Sequence, residues 1–187
     1  MSKAIILSPE PYAPLRPMKN LIASHTVNIY LKAGEVLVSR KPVLVSTVLG
    51  SCVAVTMFSA SRGFGAICHA MLPENIGRDN DLRYVDAALR HMYEKITAYG
   101  SGSDLSVKLF GGAQVLNVAE PAPNRQTVGD QNVAQAEAVL ASLGLAVTAR
   151  DTGGLRGRKL FFCTRSGDVY LRCIRTGKHS FNEDTTL

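Results

Sequence analysis

Between Val27 and Leu72 the chain runs through five short apolar stretches: Val27 to Leu31, Val36 to Ser39, Val43 to Val48, Val53 to Phe58 and Phe64 to Leu72. Turn signals at Lys32 to Glu35 and at Ser59 to Gly63 part them, and runs of this length and branching read as strands close enough to form antiparallel hairpins. Only afterwards does a helical period appear. Leu82, Val85, Leu89, Met92, Tyr93 and Ile96 recur at three- and four-residue steps before Gly100, which predicts an amphipathic helix. A second helix is predicted from about Gln131 to Leu143, with Val133, Ala136, Val139, Leu140 and Leu143 inward, Asp130 as N-cap and Gly144 closing its end. Leu105 to Phe110 and Leu145 to Ala149 read as further strands, and Lys159 to Thr164 with Val169 to Ile174 as a final hairpin. The pattern implies an α+β fold with antiparallel strands and two helices on one side of the sheet.

With 46% hydrophobic and 19% charged residues, 187 residues can bury one full core. No internal repeat or linker divides the chain. Residues 1–17 carry Pro9, Pro11, Pro14 and Pro17 and read as an extended arm, 18–175 as a single domain and 176–187 as a tail. The apolar run Ala4 to Leu7 is too short for a secretory signal, and no run is long enough for a bilayer, so a cytoplasmic protein without membrane insertion is expected. The formal charge of +6 raises nucleic acid as a partner, but the basic residues are scattered, without an aromatic-interleaved stripe, an RNA-binding signature or a zinc finger. An acidic protein surface accounts for the same charge.

Four cysteines, Cys52, Cys68, Cys163 and Cys173, show no Cys-x-x-Cys spacing, and a domain of this size needs no staples, so neither a metal site nor a disulfide is expected. A two-residue turn at Ser166-Gly167 would set Cys163 opposite Tyr170, and both Cys163 and Cys173 read as strand packing. Cys52 differs, because it follows a Gly-Ser turn and stands 17 residues before His69 in the returning strand. A hairpin brings the two near each other, and a neighbouring imidazole, by taking the proton or by carrying positive charge beside a thiolate, makes a thiol reactive. Along that strand His69 shares a face with Ile67 and Met71, while Cys68 points the other way with Ala66 and Ala70. The polar loop Glu74 to Asp81 is either a border of a substrate groove or a plain connector, and His91 reads as a solvated residue on the flank of the first helix. The loop from Asp151 to Arg158 lacks the Walker spacing and a following helix, which argues against nucleotide binding.

Four blocks in order between about Val43 and Ile174 carry a longer match: Ser-Thr-Val-Leu-Gly-Ser-Cys-Val-Ala-Val, Gly-Ala-Ile-Cys-His-Ala-Met-Leu-Pro, Lys-Leu-Phe-Gly-Gly-Ala and Ala-Arg-Asp-Thr-Gly-Gly-Leu-Arg-Gly-Arg. Together they resemble CheD, the chemoreceptor glutamine deamidases of bacterial chemotaxis. The resemblance implies a three-layer α/β/β sandwich with mostly antiparallel strands, similar to the catalytic domain of cytotoxic necrotising factor toxins. It also implies catalysis by Cys52 and His69 without metal or organic cofactor. The family's third member is a threonine six residues before the cysteine, where this chain has Ser46; Thr47 follows it and takes the role if the strand register shifts by one. Ser46 is the first choice, Thr47 the alternative, and a main-chain carbonyl a further way to hold the imidazole. The Asp-Thr-Gly-Gly block is expected as a wall of the active-site region.

The implied reaction is hydrolysis of a glutamine side chain on the cytoplasmic helical region of methyl-accepting chemotaxis receptors, through a thioester on Cys52. Peptide N–H groups from Gly50 to Val53 are the candidate oxyanion donors. Methylesterase activity at the same site is an implied side reaction, and a CheC-type phosphatase an implied partner. A cysteine peptidase or acyltransferase would use the same dyad, and a non-catalytic receptor- or phosphatase-binding adaptor would use neither residue.

Overall fold

The computed structural model describes residues 4–6, 22, 27–77, 81–102, 104–115 and 126–174. Within these residues ten strands and two longer helices follow in the order β1 (Ala4–Ile6), β2 (Asn28–Tyr30), β3 (Val36–Ser39), β4 (Leu44–Leu49), β5 (Val53–Ser59), β6 (Phe64–Ala70), α1 (Val85–Ala98), β7 (Leu105–Gly111), α2 (Val128–Ser142), β8 (Val147–Thr152), β9 (Arg158–Cys163) and β10 (Val169–Cys173). They form two five-stranded sheets, ordered β1-β10-β9-β4-β2 and β3-β6-β5-β7-β8.

Side-chain alternation along the strands creates the layers. In β4 and its approach, Val43, Val45 and Leu49 face the second sheet, where they meet Ala54 of β5, Ile67 of β6 and Phe110 of β7. Leu44 takes the opposite face, with Phe161, Cys163 and Tyr170. In β5 and β6 the complementary set, Val53, Val55, Met57, Ala66, Cys68 and Ala70, packs beneath α1 and α2. Every residue of β5 and β6 is buried, because one face meets the helices and the other the first sheet. The result is the α/β/β sandwich, with both helices on the outer face of the second sheet.

Most pairings are antiparallel, but β1 with β10, β2 with β4, and β7 with β8 run parallel. The expected run of local hairpins holds for β5 and β6 only in part of the region. The sequence neighbours β2 and β3 enter different sheets, β2 beside β4 and β3 beside β6. That division lets Ile29 and Leu37 approach the inter-sheet core from opposite sides.

The helix α1 buries Val85, Ala88, Leu89, Met92 and Ile96 along its predicted stripe. In contrast, α2 starts three residues earlier than expected. Thr127 is its N-cap, accepting from the Asp130 N–H while the Asp130 carboxylate accepts from the Thr127 N–H, so Asp130 is the far half of a capping box. At the last hairpin Tyr170 lies opposite Phe161, and Cys163 N donates to Asp168 O, because the turn spans Thr164 to Gly167. Cys163 is buried as expected, whereas Cys173 is exposed at the strand end. The N-terminal prolines, the C-terminal tail and residues 78–80 of the polar loop lie outside the described residues.

Candidate active site

Thr47 on β4 and His69 on β6 meet across the inter-sheet core. Thr47 Oγ1 lies 2.8 Å from His69 Nδ1 and 2.8 Å from the carbonyl of Leu31. A threonine hydroxyl has one proton, and the carbonyl can only accept. That proton therefore goes to Leu31 O, so Thr47 Oγ1 must accept from an Nδ1–H. The imidazole is held as the Nδ1–H tautomer, and its Nε2 carries the free lone pair. Nε2 is buried, with no hydrogen-bond partner among the described residues. The His69 backbone is pinned as well, its N–H donating to Glu35 O and its carbonyl accepting from the Gly34 N–H.

Burial holds the His69 pKa below its ordinary value, against the smaller opposing effects of the Leu31 carbonyl and the Glu35 charge. A neutral imidazole is thus the resting form at pH 7.

Ser46 is not the hydroxyl at the imidazole. Alternate residues of a strand face opposite sides, and on β4 the side facing the second sheet belongs to Val45, Thr47 and Leu49. Ser46 faces outward with Leu44, opposite Phe161 of β9 and Tyr30 of β2. Thr47→Val, which keeps the shape and deletes the acceptor, is expected to lower turnover by about 10- to 100-fold, the usual effect of removing a group that orients a functional histidine. Thr47→Ser should recover most of it, while Ser46→Ala should stay within about twofold of the parent, as a residue without a role in orientation does. Initial-rate comparison of the three variants checks the assignment, and a crippled Ser46→Ala would reverse it.

Cys52 immediately precedes β5. Ala54 lies directly opposite His69, and Cys52 stands two residues before Ala54, one step past the end of the ladder at Val53 and Ala70. Consistently, Cys52 packs against the inter-sheet core together with Ala54 and Ile67, whereas Cys68 faces the helices. Burial raises the Cys52 pKa, only partly offset by its own backbone N–H. Thiol and imidazole are accordingly both neutral at rest. Of the two ways an imidazole can activate a thiol, the burial of this pair favours proton removal during attack over a standing thiolate beside a charged ring.

The loop carrying Cys52 is held by three consecutive carbonyls. Gly50 O accepts from Ala113 N at 2.8 Å, Ser51 O from Asn132 Nδ2 at 2.9 Å and Cys52 O from Gly112 N at 2.8 Å. Two glycines make this approach possible. A Cβ on Gly111, at φ 109°, would collide with the Cys52 carbonyl, and one on Gly112, at φ 69°, would collide with Val133. The Asp-Thr-Gly-Gly block lies beside them: Gly153 N donates to Gly111 O, Gln114 N donates to Gly154 O, and buried Arg158 donates to the carbonyls of Gly111 and Gly153 while pairing with Asp151 at 2.7 Å.

One residue of this frame, Asn132, escapes a reading by motif, whereas Arg158 closes the fourth of the sequence blocks. Asn132 sits four and seven residues before Ala136 and Val139, so a polar residue on the apolar stripe of α2 was the available signal. Among the described residues no cluster of side chains is arranged to hold a metal ion, and no helix is long and apolar enough to cross a membrane.

Cysteine labelling reads out this layout. In the folded protein, brief treatment with iodoacetamide should modify half-buried Cys52 and exposed Cys173 while sparing Cys163 and Cys68, whose thiol complete burial pushes up to about 12. His69→Ala should slow Cys52 and leave Cys173 unchanged, as peptide mapping would show.

The model of the family described as CheD chemotactic sensory transduction matches residues 71–173, a span that begins two residues after His69. A protein of Geobacter sulfurreducens named probable chemoreceptor glutamine deamidase CheD 2 is 48% identical over 146 residues, covering 78% of this chain and 89% of its own. Probable chemoreceptor glutamine deamidases CheD of Maridesulfovibrio salexigens and Thermococcus kodakarensis are 42% and 36% identical, over 82% and 78% of this chain and 94% and 92% of their own. With relatives this similar over most of its length, the chain belongs to the CheD family.

Proposed function

We propose that the protein hydrolyses glutamine side chains on methyl-accepting chemotaxis receptors, releasing ammonia and leaving glutamate. The observation that carries this reading is the buried neutral imidazole of His69, locked by Thr47 with its basic Nε2 free on the face that Cys52 shares.

In the first half-reaction the Cys52 sulfur bonds to the amide carbon as its proton moves to His69 Nε2. The tetrahedral oxyanion rests on peptide N–H groups of the Gly50 to Val53 loop. Collapse breaks the C–N bond, and the imidazolium gives its proton to the departing nitrogen, which leaves as ammonia. Water then adds to the thioester, losing a proton to the same imidazole; the carboxyl product departs and the thiol is restored. No step draws on a metal or an organic cofactor.

Receptor cytoplasmic helices as substrate place the protein in the cytoplasm, and a CheC-type phosphatase is a further partner of this reading. The test is incubation with a receptor cytoplasmic fragment, followed by ammonia assay and peptide mass spectrometry. Glutamine converted to glutamate with the chain intact is expected. Cleavage of the receptor chain would make the protein a peptidase, and a cellular effect that survives Cys52→Ala would make it an adaptor.

A further inference from the structure

We infer that Asn132 is a positioning residue that aims the Cys52 peptide N–H as an oxyanion donor. The inference rests on Cys52 as the nucleophile of the proposed reaction, and it concerns a helix outside both sheets of the site.

Asn132 is fully buried on α2, and its side-chain nitrogen donates both protons, one to Ser51 O and one to Met71 O, each at 2.9 Å. The reversed carboxamide would set an oxygen against two carbonyl oxygens, so the orientation is fixed by its partners. These partners stand on either side of the chemistry: Ser51 precedes Cys52, and Met71 follows His69 by two residues. The β5–β6 pairing ends at Val53 and Ala70. One step further the strands part, with Cys52 O engaged by Gly112 N and Met71 N by Arg83 O. The Asn132 side chain spans the gap where the ladder stops.

A peptide unit is planar and trans, so the carbonyl of one residue and the N–H of the next point in opposite directions. Fixing Ser51 O toward α2 therefore fixes the Cys52 N–H away from it. The carbonyls of Gly50 and Cys52 are anchored in turn by the N–H groups of Ala113 and Gly112, which fixes their own peptide units. With the three consecutive carbonyls each engaged, the peptide N–H of Cys52 is set by the middle one, and that carbonyl is held by a side chain.

Two reactions of the Cys52 thiol separate this role from simple support of the loop. With p-nitrophenyl acetate, sulfur bonds to the acyl carbon through an oxyanion, the C–O bond breaks, p-nitrophenolate leaves and the thiol proton passes to His69. With iodoacetamide, sulfur displaces iodide from a saturated carbon, and no oxyanion forms. In Asn132→Asp and Asn132→Leu, acylation of Cys52 is expected to fall by about 30-fold at pH 7.5, within the range seen when an oxyanion donor is disturbed, while alkylation relative to Cys173 stays within about threefold. Asn132→Asp should regain acylation relative to the parent as the pH falls and its carboxyl again offers a proton to one carbonyl; Asn132→Leu should not.

A ratio of acylation to alkylation equal to that of the parent in both variants would overturn the inference. Should Asn132→Leu fail to fold, the ratio in Asn132→Asp and its pH dependence decide alone. The probes need no receptor, so absence of ammonia release by the parent protein would refute the proposed function without touching this result.

Discussion

Cys52→Ala is expected to abolish ammonia release, by about 10⁴-fold or more, with no loss of the folded state. The size of the effect follows from the site having one thiol on the His69 face. Cys68, sixteen residues along, points to the helices from the opposite side of β6 and is too acid-weak, at about 12, to substitute. Stability should hardly move, because Cys52 is only partly buried and its anchoring to Gly112 is made by the backbone carbonyl. The measurement is a single-turnover ammonia assay beside a thermal melt. Activity retained in a variant that melts like the parent would remove Cys52 from the chemistry.

His69→Gln should lower turnover by about 10²- to 10⁴-fold, the span that positioned general bases contribute. The pH dependence distinguishes this role from packing. Because burial holds the imidazole below its ordinary pKa, the basic form persists as the medium is acidified, and the acid limb of the parent's rate profile should lie below pH 6.5. In the variant that limb should vanish. Stability carries the same signature with a definite sign. The unfolded chain binds a proton near pH 6.5 and the folded one only at lower pH, so the stability present above 6.5 is lost as the pH falls through the folded-state value. His69→Gln should flatten that decline in urea titrations between pH 7 and 5. An acid limb that survives the substitution would place the titrating group elsewhere.

What could be read from the sequence was whatever depends on local period. The alternation Ile67, His69, Met71 against Ala66, Cys68, Ala70 already separated the two faces of β6, and the β5–β6 hairpin already put the strand that follows Cys52 beside the one that carries His69. The apolar stripe of α1 was equally plain, since three- and four-residue spacing has one helical solution. The fold class followed from these elements, and the layering from the family resemblance.

What needed the tertiary structure were the choices that alternation leaves in pairs. A strand that is apolar on both faces, as β4 is, does not say which of Ser46 and Thr47 looks inward; only its position between β2 and β9, facing a second sheet, decides for Thr47. The same holds for β2 and β3, neighbours in sequence whose membership in different sheets depends on partners far along the chain. Asn132 shows the reason most directly: its two hydrogen bonds reach back 81 and 61 residues, and no local pattern records a contact of that separation. Sequence by itself determined which residues can do chemistry and which strands can carry them; the packing of the layers on one another determined which hydroxyl meets His69 and which buried amide meets the carbonyls of Ser51 and Met71, because those depend on distances closed by the whole fold.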